Sequence, residues 1–233
     1  MPLANRYVQF VSDDHFLACV RRVCEAYPKA SKRVDLEKLQ RNTIDPFKMV
    51  FDILNSNSNV DDWVNGEAIR QNDKTLNNRI GEFHQKLLGG VEGWADLGTG
   101  DESKVDLKKI DNSIFIELNN KFNTVNSDSL DKVRDKLEEA IGKYPKAKGY
   151  WAYILDKKGA SYDVVWEYKG KTDPRIRKIS GKKVYELVTG NPKALETVWL
   201  ALPKSISDIL GVDIKITDSD KTKLVDFFRV SVQ

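Results

Sequence analysis

Asp106 and Glu117 stand with ten residues between them in the stretch VDLKKIDNSIFIELNNKFNTVN, Val105 to Asn126, and their types and spacing suit metal chemistry. Ile110, Asp111, Asn112 and Ser113 supply a polar turn, and the run from Ile114 to Asn119 alternates so that Glu117 shares a strand face with Asn119. A hairpin folded here brings both acids to one strand end. Two carboxylates in so small a volume repel unless a cation sits between them, and hard oxygen ligands suit Mg²⁺. A metal held this way activates water and neutralises charge building on a phosphate, so the matching reaction is phosphodiester hydrolysis. Asn119, two residues after the glutamate, can position water or phosphate but cannot lower a pKa as an ammonium does. The charged role is then vacant or passes to Lys121, one pleat further on. Glu82, in the preceding helical segment, can add a carboxylate through the metal's water shell. The spacing alone is loose, and a lone acid in a strand is more often a solvent-facing residue.

The elements that must position these residues follow from periodicity. A helix starting at Asp13 or Asp14 carries Phe16, Leu17, Val20, Val23 and Cys24 at helical spacing and stops at Pro28. A second covers Phe47 to Leu54, and Asn55 to Asn59 reads as a surface loop. Glu67 to Leu88 is one long helix, or two broken near Asn72 and Asp73, ended by Gly89 and Gly90. After the strand pair, Ser127 or Asp128 caps a helix with a Leu130, Val133, Leu137, Ile141 stripe closing at Gly142. Tyr150 to Leu155 and Tyr162 to Tyr168, joined by Asp156 to Gly159, read as a β-hairpin. A short helix around Val184 to Val188, a longer one from Pro192 towards Leu202 and a small strand Val212 to Ile216 complete the chain. The order is an α/β (α+β) one.

The 233 residues are 40% apolar and 31% charged, enough for one sizeable core and unlike a disordered chain. No run approaches the roughly 18 apolar residues of a spanning helix, and the N-terminus lacks a secretory leader pattern, so a cytoplasmic protein without membrane contact is expected. Cys19 and Cys24 are read as reduced thiols in a helix, and zinc held by them with His15 lacks a close cysteine pair. No GxxxxGK[ST] or GxGxxG occurs, which argues against a nucleotide cofactor. A histidine base is not supported, because His15 and His84 are the only histidines and lack the needed neighbours. The net charge of +3 says little, but its distribution says more: Lys169, Lys171, Arg175, Arg177, Lys178, Lys182 and Lys183 face a single acid, Asp173. That density suits DNA phosphates, and Arg175, Arg177 and Lys178 are candidate DNA contacts; a solvated loop is the bland alternative.

Asn78 to Gly89 (NRIGEFHQKLLG) together with Phe115 to Asn126 (FIELNNKFNTVN) resembles type II restriction endonucleases of the PD-(D/E)XK superfamily. Within these it resembles the family that cuts GGNCC-like sites, in which a block similar to ExKNKxNTxN follows the catalytic strand. The resemblance is strongest over Asn77 to Ser127, with a weaker echo in Gly181, Tyr185, Glu186, Leu187 and Gly190. It implies a restriction-endonuclease-like core with a central mixed β-sheet flanked by helices. It implies Mg²⁺ held by Asp106 and Glu117, Glu82 as auxiliary acid, and duplex DNA cut at a short GC-rich palindrome by a homodimer. Asn120, Lys121, Asn123, Thr124 and Asn126 would then hold DNA near the scissile bond. Asn119 departs from the pattern, because lysine is usual there. The expected organisation is a single domain over 1–233, with a catalytic core at about 67–168, N-terminal helices in 1–66 and a DNA-recognition and packing region in 169–233. The alternatives are a repair or recombination nuclease of the same fold, and a catalytically weak DNA-binding protein.

Overall fold

Lys148–Leu155 (β4) is buried along nearly its whole length, because Gly149 to Ile154 are covered on both faces. A strand of that kind belongs in the middle of a sheet between parallel neighbours, and that is where the computed structural model places it. The structure describes residues 5–27, 44–98, 105–122, 127–213 and 216–232. The helices are α1 (Asp13–Cys24), α2 (Pro46–Ser56), α3 (Val60–Gly89), α4 (Ser127–Gly142), α5 (Lys182–Thr189), α6 (Ala194–Leu210) and α7 (Asp218–Ser231). Besides β4 the strands are β1 (Trp94–Asp96), β2 (Leu107–Lys109), β3 (Ile114–Lys121), β5 (Asp163–Val165) and β6 (Ile176–Ser180).

The six strands form one mixed sheet in the order β1-β2-β3-β4-β6-β5. β3, β4 and β6 run parallel, while β1, β2 and β5 are antiparallel to their neighbours. The restriction-endonuclease-like mixed sheet flanked by helices is therefore present. The expected hairpin between Tyr150–Leu155 and Tyr162–Tyr168 is not. β5 pairs with β6 at the sheet edge, and β4 takes parallel partners on both sides, because its apolar residues need covering on two faces. Of the expected strand Val212–Ile216, the described residues Val212, Asp213 and Ile216 lie outside any strand, after Gly211 at φ 66 caps α6, and positions 214 and 215 lie outside the described residues. Trp94–Asp96 is a strand the pattern did not announce, and α3 runs unbroken through Asn72 and Asp73.

The chain divides into two units, one of Met1–Arg21 with Gly81–Gln233 and one of Arg22–Ile80. In the first, α4 lies on β3 and β4, with Val133, Leu137, Ala140 and Ile141 packed on Phe115, Trp151, Tyr153, Trp166 and Ile176. Gly149 lets the helix approach: a Cβ there would stand 3.2 Å from Leu137 Cβ. Arg134 is buried in this layer and is held by Glu138 at 2.7 Å and the Trp166 carbonyl at 2.8 Å, partners that offset the cost of burying its charge. α5 packs on β4 and β6. In the second unit Asp45 caps α2 by accepting from Phe47 N at 2.9 Å, and the Trp63 indole donates to Asp52 at 3.0 Å. No residue of α2 is buried.

Candidate active site

The β2–β3 ladder pairs Leu107 with Ile116 and Lys108 with Phe115 and stops there, with Asp106 directly before β2 and Glu117 directly after Ile116 on β3. The Asp106 backbone N–H donates to the Ile116 carbonyl at 3.1 Å, and its carboxylate Oδ2 takes the Leu118 N–H at 2.7 Å, where the ladder would otherwise continue. The side chain is thus fixed by the backbone of the strand that carries its partner. Burial, and after it the charge of Glu117, push the Asp106 carboxyl up to about 7. The Leu118 N–H and Lys136 pull the other way, and Asp96 adds a further upward push.

Glu117 divides its two oxygens. Oε1 accepts from Lys136 Nζ of α4 at 2.7 Å, while Oε2 is buried with no hydrogen-bond partner among the described residues. An orphaned buried carboxylate oxygen beside a second acid that resists ionisation is what a divalent cation relieves, so these two residues fit a Mg²⁺-type metal. Among the described residues no third His, Cys, Asp or Glu converges with them. Remaining ligand positions would fall to oxygens of backbone, water or phosphate.

Asn119 lies on the same strand face one step beyond Glu117, and its Oδ1 accepts from the Trp151 indole N–H at 3.1 Å. An indole nitrogen can only donate, so the amide orientation is settled and the NH₂ group is the end left to meet a substrate. Trp151 is Glu117's register partner on β4, and Lys178 is Trp151's partner on β6, with Nζ 4.8 Å from the Trp151 ring centroid. Lys121 ends β3 opposite Leu155.

The remaining expected residues are spread more widely. Glu82 lies on α3 beside Gly81, which faces Asn120 on the side of β3 away from Glu117. From the same helix Gln85 donates to Asp96 Oδ1 at 2.8 Å and, at a long 3.5 Å, towards the Asp106 carbonyl; Lys86 pairs with Asp96 at 3.2 Å. Asn120 has its Oδ1 buried without a partner among the described residues. Asn123, Thr124 and Asn126 lie outside the described residues. Of the basic stretch, Lys169, Lys171 and Arg175 lie in the turns before β6, Arg177 and Lys178 in β6, and Lys182 and Lys183 at the start of α5; Arg175 pairs with Asp173 at 2.7 Å and Arg177 with Asp163 at 2.6 Å, so both guanidinium groups already hold acids. His84 is a core residue, bonded to the Tyr185 hydroxyl at 2.7 Å and pushed down to about 4 by burial. His15 contacts the Lys86 carbonyl at 2.9 Å, and both cysteines are free thiols.

Lys136, Trp151 and Asp96 are the site neighbours the sequence pattern missed. Lys136 resembles any solvated helical lysine, Trp151 any core aromatic, and Asp96 sits in a strand of three residues too short to signal itself.

Over residues 8–211 the chain matches the model of the Eco47II restriction endonuclease family. It is 33% identical over 218 residues to the type II restriction enzyme Sau96I of Staphylococcus aureus, covering 88% of this chain and 82% of that one. It is 36% identical over 240 residues to the type II restriction enzyme Eco47II of Escherichia coli, covering 96% and 98%. With a mixed sheet carrying two neighbouring carboxylates and a match that spans nearly the whole sequence, the chain belongs to the Eco47II restriction endonuclease family.

Proposed function

We propose that this type II restriction endonuclease hydrolyses both strands of duplex DNA at a short GC-rich palindrome of the GGNCC kind, using Mg²⁺ held by Asp106 and Glu117. The observation that carries the reading is the close pair itself, Asp106 held on the Leu118 N–H next to Glu117, with Glu117 Oε2 buried and unpartnered among the described residues. Bound Mg²⁺ supplies an activated water and charge neutralisation at the phosphate. The chain's own residues do the rest. The Leu118 N–H orients Asp106, and Trp151 turns the Asn119 amide so that its N–H donors meet a phosphate oxygen or water. Glu82 is the auxiliary acid of this reading, and Lys121, Asn120, Asn123, Thr124 and Asn126 are its DNA contacts after the catalytic strand. Arg175, Arg177 and Lys178 contribute phosphate contacts from the β6 side once DNA competes for their present partners. A two-fold symmetric homodimer matches a palindrome, and the reaction takes place in the cytoplasm. No described helix is long and apolar enough to cross a membrane.

Digestion of plasmid DNA of known sequence in Mg²⁺ tests this: discrete fragments with ends in one short palindrome are expected, and a smear or intact DNA contradicts it. One observation favours a second reading, a DNA-binding protein that cuts weakly: Asn119 brings no charge to the position where such enzymes usually carry lysine. Sequence-specific retention of a DNA fragment without cleavage under the same conditions would select that reading.

A further inference from the structure

We propose that Lys136, delivered from α4, is the ammonium of the active site, filling the role that a lysine at position 119 would have, while Asn119 serves as a neutral donor held in place by Trp151. The inference rests on Asp106 and Glu117 being the metal-holding pair. Lys136 Nζ lies 2.7 Å from Glu117 Oε1, in a part of the site where Glu117 is 12% exposed and Lys136 33% exposed. The ammonium is therefore the more exposed member of the pair and the one nearer solvent.

The competing cations are worse placed. Lys121 is four residues along β3 from Glu117, about 13 Å at the rise of a strand. Lys178 is two strands away, about 10 Å at normal strand spacing. Its ammonium lies over the rings of Trp151 and Tyr153, at 4.8 and 5.9 Å from their centroids.

The helix carries Lys136 to this point for a structural reason. Val133, Leu137 and Ala140 are buried against the sheet, so the neighbouring Lys136 leaves the helix at the border of the packed face and its stem reaches over β3. A lysine in the strand reaches the same volume directly from position 119. The two solutions exchange the origin of the charge and keep its location. A neutral amide at 119 then avoids placing two ammonium groups against one carboxylate, and its carbonyl is taken by Trp151.

Lys136→Met, Lys136→Arg, Asp106→Ala and the double variant Lys136→Met with Asn119→Lys test this, each checked for folding by circular dichroism. Lys136→Met is expected to cut plasmid DNA in Mg²⁺ at least about 100-fold more slowly under single-turnover conditions, the scale of losing one charged stabiliser. Its affinity in Ca²⁺ for a duplex fragment carrying a site mapped in wild-type digests should stay within about threefold. Calorimetry with Mn²⁺ alone should show tighter binding, because no ammonium competes for Glu117 Oε1. Lysine at 119 should restore at least about tenfold of the lost rate, which a lysine needed only for packing would not allow. A Lys136→Met rate within threefold of wild type, unchanged or weaker Mn²⁺ binding, or a loss that Asn119→Lys does not relieve overturns the proposal. If Lys136→Met does not fold, Lys136→Gln carries the same comparisons. Asp106→Ala separates the two levels: cleavage by that variant removes the metal-pair reading itself, whereas its inactivity beside an active Lys136→Met removes only the role of Lys136.

Discussion

Replacing Asp106 with asparagine should abolish cleavage and at the same time make the metal-free protein more stable at neutral and alkaline pH. Asp106 is held beside Glu117 and largely withdrawn from water, which lifts its carboxyl from 3.8 to about 7. Between those values the folded protein holds a proton that the unfolded chain has released, so stability falls as pH rises from about 4 to about 7 and the full penalty is present above it. That difference corresponds to about 4 kcal/mol, at 1.36 kcal/mol for each pH step, and solvent penetration should leave roughly half. Asparagine keeps an oxygen for the Leu118 N–H and carries no charge, so it removes the penalty without breaking the 2.7 Å hydrogen bond. Urea unfolding in EDTA at pH 5 and pH 8 measures it: Asp106→Asn should gain about 2 kcal/mol over wild type at pH 8 and somewhat under half of that at pH 5. Added Mg²⁺ should narrow the pH 8 gap by stabilising wild type alone. An Asp106→Asn protein that is less stable than wild type at pH 8, or a gap independent of pH, refutes the reasoning.

Leu137→Ala should destabilise the protein by about 2–5 kcal/mol in urea melts, because a fully buried side chain pressed against Gly149 leaves a cavity that the sheet cannot fill; a loss under 1 kcal/mol contradicts the packing described. Trp151→Phe keeps the ring against Trp166, at 4.7 Å between centroids, but removes the donor to Asn119. It should slow cleavage several-fold with a stability loss of about 1 kcal/mol, and an unchanged single-turnover rate argues against a positioning role for Trp151. The His84 imidazole should stay neutral until pH approaches about 4, so its NMR shifts should not move between pH 8 and pH 5.5; titration near 6.5 contradicts its burial against Tyr185.

The parts of this molecule that were legible in its sequence are those set by near neighbours. Asp106 and Glu117 are joined by one polar turn, so a local pattern was enough to expect the β2–β3 hairpin beside which they lie. The α4 stripe and its end at Gly142 were equally local. Parallel pairing is not local. β4 and the segment holding β5 follow each other closely and are both rich in β-formers, yet β4 joins β3 and β6 and leaves β5 at the edge. Nothing in either segment encodes that choice without the rest of the sheet. Lys136 was illegible for the same reason. Its contact with Glu117 spans 19 residues and exists only because α4 folds back over β3.

The most direct test of the central claim is a plasmid digest in Mg²⁺ with wild type and Glu117→Ala side by side, together with DNA affinity measured in Ca²⁺. Discrete fragments from wild type, none from Glu117→Ala, and comparable sequence-specific binding by both are the predicted result. Fragments from Glu117→Ala at the wild-type rate would show that the Asp106–Glu117 pair is not where the phosphodiester is cut.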